Sequence, residues 1–404
     1  PCTLLVDGRP PMSLSPSSVD LTQSTDSGSD EEIVLPPHPL REFAGHSSRE
    51  EDEGDEKREG NHGGGRKSEE QANPGFMSTL AGLFRACGIL CAIGCPPVPE
   101  LIARKLAFHP PDHTYGIYAE DDPDTSLEDA SELGLRRLIV QPYPFGGFLR
   151  EEYDTVMARS RQFTVRTKHG NTLVCLHAKT RRVADGALAR QVVIFAQPNS
   201  SDLGSFMQPQ GLSFAALADI FHMDVYGFDY SGYGRSSGTP SEKNTYADIR
   251  AVYDFVRQTR KDKKICLMGY SIGTCVVADL AAKRVDSLSG VVLIAPLTSG
   301  LRLVGGCPEQ EESCFLDRFT TTDKVRRITV PVLVVHGSDD TVIPMDHALE
   351  LHKRLPNPVT PLFVHGADHM TIFNGANIEV FRRIQEFLRS EAHCGNNSAS
   401  DRTS

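Results

Sequence analysis

The stretch KKICLMGYSIGTCVVADLAAKRV, Lys263 to Val285, decides the fold. Its opening KKICLM is a short apolar run of the kind that forms a buried strand, and its closing GTCVVADLAAKRV has helical periodicity. Between them GYSIG, Gly269 to Gly273, sets a serine between two glycines at the change from strand to helix. That context suits a nucleophile elbow, a turn so sharp that the side chain at its apex is raised into the open. Gly269 and Gly273 would let such a turn close without Cβ clashes, leaving Ser271 at the apex. The motif alone is only modestly specific, because a helix N-cap serine also follows a strand.

Working outward, RQFTVRT and TLVCLHA flank KHGN and predict a hairpin. Further strands are predicted at QVVIFAQ (191–197), MDVYGFD (223–229), KKICLMG (263–269), SGVVLIA (289–295), VPVLVVHG (330–337) and TPLFVHG (360–366). The later runs are almost continuously apolar, as expected of strands covered on both faces. Helical patterns such as TYADIRAVYDFVRQT alternate with them. The fold class is therefore α/β: a mostly parallel, doubly wound, eight-stranded sheet.

Active sites in such sheets lie at the carboxyl ends of the strands. VVHGSDDTVIP puts Asp339 and Asp340 just past one strand, and FVHGADHM puts His369 just past the last. The chain order Ser271, Asp340, His369 is that of an α/β-hydrolase fold. Taken singly, an aspartate pair reads as a solvated turn and a histidine as structural; together they predict a triad. His369 would take the Ser271 proton during attack on an acyl carbon, and Asp340 would orient the imidazole. An oxyanion needs waiting N–H donors. One is expected from Ile272, the other from the loop PNSSDLG after VVIFAQ. With no dinucleotide fingerprint and no P-loop, no cofactor is expected.

Bulk properties narrow the alternatives. The chain of 404 residues carries a formal net charge of −11, which argues against nucleic acid as a partner. No C-x-x-C pair suggests a zinc site, so no metal is expected. Residues 1–75 contain Ser/Pro-rich runs and the acidic REEDEGDEKRE from Arg49; without a hydrophobic period they are predicted to be a disordered acidic extension. Residues 76–99 form a cysteine-rich, apolar segment, 100–392 the catalytic domain, and 393–404 a second disordered tail. The interval from 304 to 330 is too short for a large helical lid, so only a short cap insertion is expected.

GYSIGT, FDYSGYGRSSGTPSEKNTYADIRAVYD, APLTSGLRL, HGSDDTVI and ADHMTI together resemble the α/β-hydrolase domain-containing protein 17 family. The resemblance covers roughly residues 77–391, and its long DYSGYG block is more specific than the triad. It implies membrane-anchored serine hydrolases that remove palmitate from protein cysteines, with Ser271 as nucleophile, Asp340 as acid and His369 as base. It also implies an acylated N-terminal cysteine cluster and a peripheral position on the cytoplasmic face of plasma membrane and endosomes. One departure matters: Gln197-Pro198-Asn199 stands where the family usually has His-Gly-Asn. The expected oxyanion donor, the Asn199 amide, survives; Pro198 is locked near φ −65°. If the replaced glycine sits at positive φ, the loop must rearrange.

Cys87, Cys91 and Cys95 recur at i, i+4 and i+8 and share one face of any helix they form. A membrane span from Phe76 to Cys95 would carry Arg85 near its middle at a cost of about 2.5–3.5 kcal/mol. A short interfacial helix is the better expectation, and clustered thiols on such a helix suit S-palmitoylation. Unmodified core cysteines are the plain alternative. The expected substrates are S-palmitoylated membrane-associated proteins, met on the membrane surface that the acylated cysteines bind. Rival readings are a lipid or small-ester hydrolase of the same fold, and a catalytically silent membrane-bound interaction protein.

Overall fold

The computed structural model describes residues 107–133, 137–143, 150–182, 188–209, 211–313 and 315–392. The expectations for 1–75, for the cysteine segment 76–99 and for the tail 393–404 lie outside the described residues. Three strands come first: β1 (Tyr115–Ala119), β2 (Asp122–Leu127) and β3 (Leu138–Pro142). They form a small antiparallel sheet in the order β2-β1-β3. It was not among the expected elements; β2, DPDTSL, exposes most of its side chains and carries almost no apolar signal.

Helix α1 (Arg150–Met157) leads into the hairpin β4 (Ser160–Arg166) and β5 (Thr172–Ala178). Then follow β6 (Gln191–Ala196), α2 (Phe214–Phe221), β7 (Asp224–Phe228), α3 (Glu242–Thr259), β8 (Lys264–Tyr270) and α4 (Ile272–Ala281). The chain finishes with β9 (Leu288–Ile294), α5 (Gly300–Gly305), α6 (Thr321–Val325), β10 (Val332–Gly337), α7 (Asp346–Arg354), β11 (Leu362–Val364) and α8 (Ile378–Glu386). The main sheet has eight strands in the order β11-β10-β9-β8-β6-β7-β5-β4. Pairings from β7 to β11 are parallel; only β4 and β5 run against their neighbours. Each expected strand is present, with ends moved by a residue or two, and the architecture is the α/β-hydrolase fold.

Side-chain alternation sorts the strands' residues between two cores. Val193, Phe195, Cys266, Met268, Val292 and Ile294 face the layer of α2, α8 and the small sheet. Their neighbours Val192, Ile194, Ile265, Leu267, Val291 and Leu293 face α3, α4 and α7. Both layers are continuous, which is why these strands read as unbroken apolar runs. Ser241 caps α3, its Oγ accepting the Asn244 N–H at 3.1 Å, and Ile249, Val252, Tyr253 and Val256 recur at helical spacing on the buried face.

The connection from β9 to β10 is the short cap insertion. It is pinned from inside by Arg302, a fully buried cation whose Nη1 meets Asp317 Oδ2 at 3.2 Å and Ser313 Oγ at 3.0 Å, while its Nε donates to Gln310 O at 2.9 Å. Removing one partner of such a pair leaves an uncompensated charge. Asp317→Ala is expected to lower the unfolding free energy by about 3 kcal/mol in urea titration, with Arg302→Met/Asp317→Leu recovering most of the loss.

Candidate active site

The turn between β8 and α4 is as sharp as its sequence suggests. Ser271 has φ 55° and ψ −121°, in the left-handed half of backbone space where L residues are strained. Its N–H is held by Ile294 O at 2.9 Å, at the carboxyl end of β9. A Cβ on Gly273 would lie 2.1 Å from Ala196 O and 3.0 Å from Gln197 O, and one on Gly269 would lie 2.4 Å from Gly273 O. Only glycines let the elbow close on itself and press against the end of β6.

Ser271, Asp340 and His369 come together there. His369 Nε2 lies 3.1 Å from Ser271 Oγ, and His369 Nδ1 lies 2.7 Å from Asp340 Oδ2. A carboxylate partner calls for the proton on Nδ1, which turns the bare Nε2 lone pair toward the serine hydroxyl. Asp340 Oδ1 accepts the N–H groups of Val342 at 2.9 Å and Ile343 at 2.8 Å. Burial pushes the Asp340 carboxyl up, but the hydrogen bonds from His369 and Ile343 and the two nearby imidazoles outweigh it and hold its pKa below the ordinary value. The neighbouring Asp339 is exposed, and its side chain accepts from Ser338 Oγ at 2.6 Å rather than from His369.

Three supporting residues were not legible beforehand. His336, at the end of β10, is fully buried; its Nε2 donates to Ile343 O at 2.8 Å and lies 3.4 Å from Asp340 Oδ2. Tyr270, inside the GYSIG motif, donates its hydroxyl to His369 O and so steadies the loop that carries the imidazole. Asp368 shapes the same loop by accepting the N–H groups of Met370 and Thr371 at 2.9 and 2.8 Å. The nearest thing to a signal was position: each lies within four residues of a triad member.

The loop after β6 holds the other expected oxyanion residue. Among the described residues, the N–H groups of Asn199 and Ile272 find no backbone acceptor in the turns and loops. The Asn199 side chain faces away into the chain's entry point: Nδ2 donates to Ala107 O at 2.8 Å, while Oδ1 accepts the His109 N–H at 3.1 Å and the Tyr233 hydroxyl at 2.6 Å. The positive φ of this loop falls on Ser200, at 57°, and not on Pro198. The turn therefore forms around the proline. Gln197 Nε2 donates to Asp229 Oδ1 at 2.6 Å, and Tyr230 donates to Gln197 O at 2.8 Å. Asp229, which also accepts from the Tyr115 hydroxyl and from the Leu203 N–H, is pushed up to about 8 by burial, with Asp202 adding to the push. The DYSGYG block is thus the frame of this loop. Cys87, Cys91 and Cys95 lie outside the described residues.

The chain matches the family model for the alpha/beta hydrolase fold over residues 198–305. It is similar to alpha/beta hydrolase domain-containing protein 17C of Xenopus tropicalis, 35% identical over 317 residues, covering 76% of this chain and 95% of that one. Likeness to the human protein 17B is equal in identity, 35% over 307 residues, covering 75% and 96% respectively. Among solved structures, an esterase of Pyrococcus furiosus aligns over 62% of this chain and 98% of its own, at 18% identity and a TM-score of 0.48.

Acid stability carries a signature of the histidines beneath the site. His347 Nδ1 accepts the Thr298 N–H at 3.2 Å; burial, helped by His336, pushes its pKa down to about 4. Between the unfolded value near 6.5 and that value the unfolded chain binds the extra proton, so stability falls as pH falls. This group alone contributes a loss of about 3 kcal/mol, and His347→Gln is expected to flatten the decline between pH 7.5 and 4.5 in urea unfolding.

Proposed function

The chain belongs to the α/β-hydrolase domain-containing protein 17 family, and from that premise we propose that it cleaves palmitoyl and other long-chain acyl thioesters from cysteines of membrane-associated proteins. It is a hydrolase by fold and family. The observation that carries acyl transfer through Ser271 is the hydrogen-bonded chain from Asp340 through His369 to Ser271, at 2.7 and 3.1 Å, set on a strained elbow; the choice of a palmitoyl thioester rests on the family.

In this mechanism Ser271 Oγ attacks the thioester carbonyl carbon as its proton passes to His369 Nε2. The imidazolium is stabilised by Asp340, whose carboxylate is kept ionised by the donors around it. The carbonyl oxygen, now an oxyanion, is met by the N–H groups of Ile272 and Asn199. Collapse breaks the C–S bond and leaves the acyl group on Ser271. A thiol has a pKa of about 8.5, so the sulfur departs with little help and takes the imidazolium proton. Water then gives a proton to His369, attacks the acyl-enzyme and releases the fatty acid, and Ser271 regains its proton.

Several features support a thioester on a protein over a buried small ester. The cap is short, its two helices α5 and α6 spanning only Gly300–Gly305 and Thr321–Val325, which leaves room for a protein surface at the mouth. Membrane attachment is assigned, on the family resemblance, to acylation of Cys87, Cys91 and Cys95; among the described residues no helix is long and apolar enough to cross a membrane. One chain holds only marginally, and more than one is needed.

Hydrolysis of an S-palmitoylated peptide by the full chain tests the reading. Wild type is expected to release free thiol, and Ser271→Ala to lose at least about 10³-fold. Equal rates in the two, or turnover of glycerol esters with none of the thioester, would overturn it.

A further inference from the structure

The end of the main sheet opposite the catalytic residues gathers positive charge. Register sets Lys264 of β8 beside Gln191 of β6, and Val192 of β6 beside Asp224 of β7. It also sets Val225 of β7 beside Ala178 of β5, and Ala178 beside Ser160 of β4. Five adjacent strands thus meet in one row, about 19 Å long at about 4.8 Å per spacing. Arg161, Lys179, Arg190 and Lys264 lie in or next to that row, and Lys261 leads into it from the end of α3. All five are exposed, and none makes an ion pair among the described residues.

The carboxylates nearby are already engaged. Asp219 meets Arg159 at 2.7 Å and Arg181 at 3.0 Å. Asp224 meets Arg260 at 2.8 Å and His177 at 2.9 Å, and accepts the Thr180 N–H at 3.3 Å. Asp262 lies 3.5 Å from Lys263 and 3.9 Å from Arg260. These contacts join the flanks into one surface, where the nine lysines and arginines named face three aspartates, a local excess of +6 (9 − 3). Arg260 and Lys261 follow the last turn of α3, where cations complement the helix dipole. Arg161, Lys179, Arg190 and Lys264 lie on or beside strands, where almost no net dipole acts. Their charge is left for an outside anion.

We propose that this basic edge docks the chain's own acidic run REEDEGDEKREG, residues 49–60. The run holds seven carboxylates and three cations in twelve residues, a net charge of −4 (3 − 7). The described chain begins at Ala107, held by Asn199 at the carboxyl end of β6. From there the row lies one strand length away, about 20 Å. Residues 60 and 107 are 47 apart (107 − 60), and a flexible tether of that length has a root-mean-square span of about 38 Å. Such a tether presents the run at an effective concentration on the order of millimolar, ahead of any acidic segment on a separate molecule. Ser271 sits at the other end of β8, so docking leaves the catalytic mouth open, whereas an anionic bilayer on this edge would turn the mouth away.

The test is zero-length carbodiimide cross-linking of the full chain, mapped by mass spectrometry of the digested monomer. Links are expected from carboxylates of residues 49–60 to Lys179, Lys261 or Lys264. They are expected to fall at least about fivefold between about 50 and about 500 mM salt, as screening shortens the reach of the charges. Lys261→Glu/Lys264→Glu, altered only at exposed side chains, is expected to lower the remaining link to Lys179 at least about fivefold. No links from residues 49–60, links spread over lysines elsewhere, links confined to a covalent dimer, or links indifferent to salt would each overturn the proposal. So would an undiminished Lys179 link in the folded variant; should the variant not fold, the wild-type map decides. A chain without these links that sediments with phosphatidylserine vesicles or retains RNA through Lys261 and Lys264 would overturn it as well, and mark the edge as a site for that anion. None of these readouts depends on hydrolysis, so the outcome stands apart from the thioesterase reading.

Discussion

The whole site hangs on a close approach with no room for a methyl group. At Gly273 the first turn of α4 presses on the last residues of β6, and at Gly269 the end of β8 presses back on Gly273. This forces Ser271 into left-handed backbone space, a conformation that persists only because sheet and helix over-determine it. Two consequences follow from the one constraint. The serine side chain is raised toward the imidazole, and the N-terminal end of α4 is brought beside the loop that carries Asn199. Ser271 and the two N–H groups proposed to meet the oxyanion are thus positioned by the same contact.

A polar framework supports that contact from below. Asp229 gathers the Tyr115 hydroxyl, the Gln197 amide and the Leu203 N–H, while Ser231 and Asp248 share two hydrogen bonds of 2.7 Å. Burial pushes the Asp248 carboxyl up to about 7. Such groups are costly to bury unless satisfied, so a network of this kind fixes one loop conformation at the expense of others. Through Tyr115 it also ties the small sheet to the catalytic edge. Gln197 joins this network with its Nε2, whereas its buried Oε1 has no hydrogen-bond partner among the described residues. Proline at 198 is accommodated because the reversal of the loop is taken by Ser200.

Much of the fold was legible because strands covered on both faces are apolar at most positions, and β6, β8, β9 and β10 are. Ser271, Asp340 and His369 were legible for a related reason: each follows a strand of the main sheet within a few residues, so the sheet itself delivers them to one edge. What escaped were elements whose cause is tertiary. Strand β2 is polar and is held by pairing with β1. The roles of His336 and Tyr270 depend on distances between β8, β10 and the loop after β11, which no local pattern encodes. The DYSGYG block was recognisable as a fingerprint, yet its physical work as the frame of the Gln197–Asn199 loop appears only in three dimensions.

Strained elbow, ionised acid and bare imidazole nitrogen amount to one claim: Ser271 is an activated nucleophile in the folded protein. Reaction with a fluorophosphonate, mapped by mass spectrometry of the digested chain, tests that claim most directly. The account predicts a covalent adduct on the peptide bearing Ser271, lost in His369→Ala and lost on denaturation. A folded protein that takes no adduct, or takes it at another serine, would contradict it.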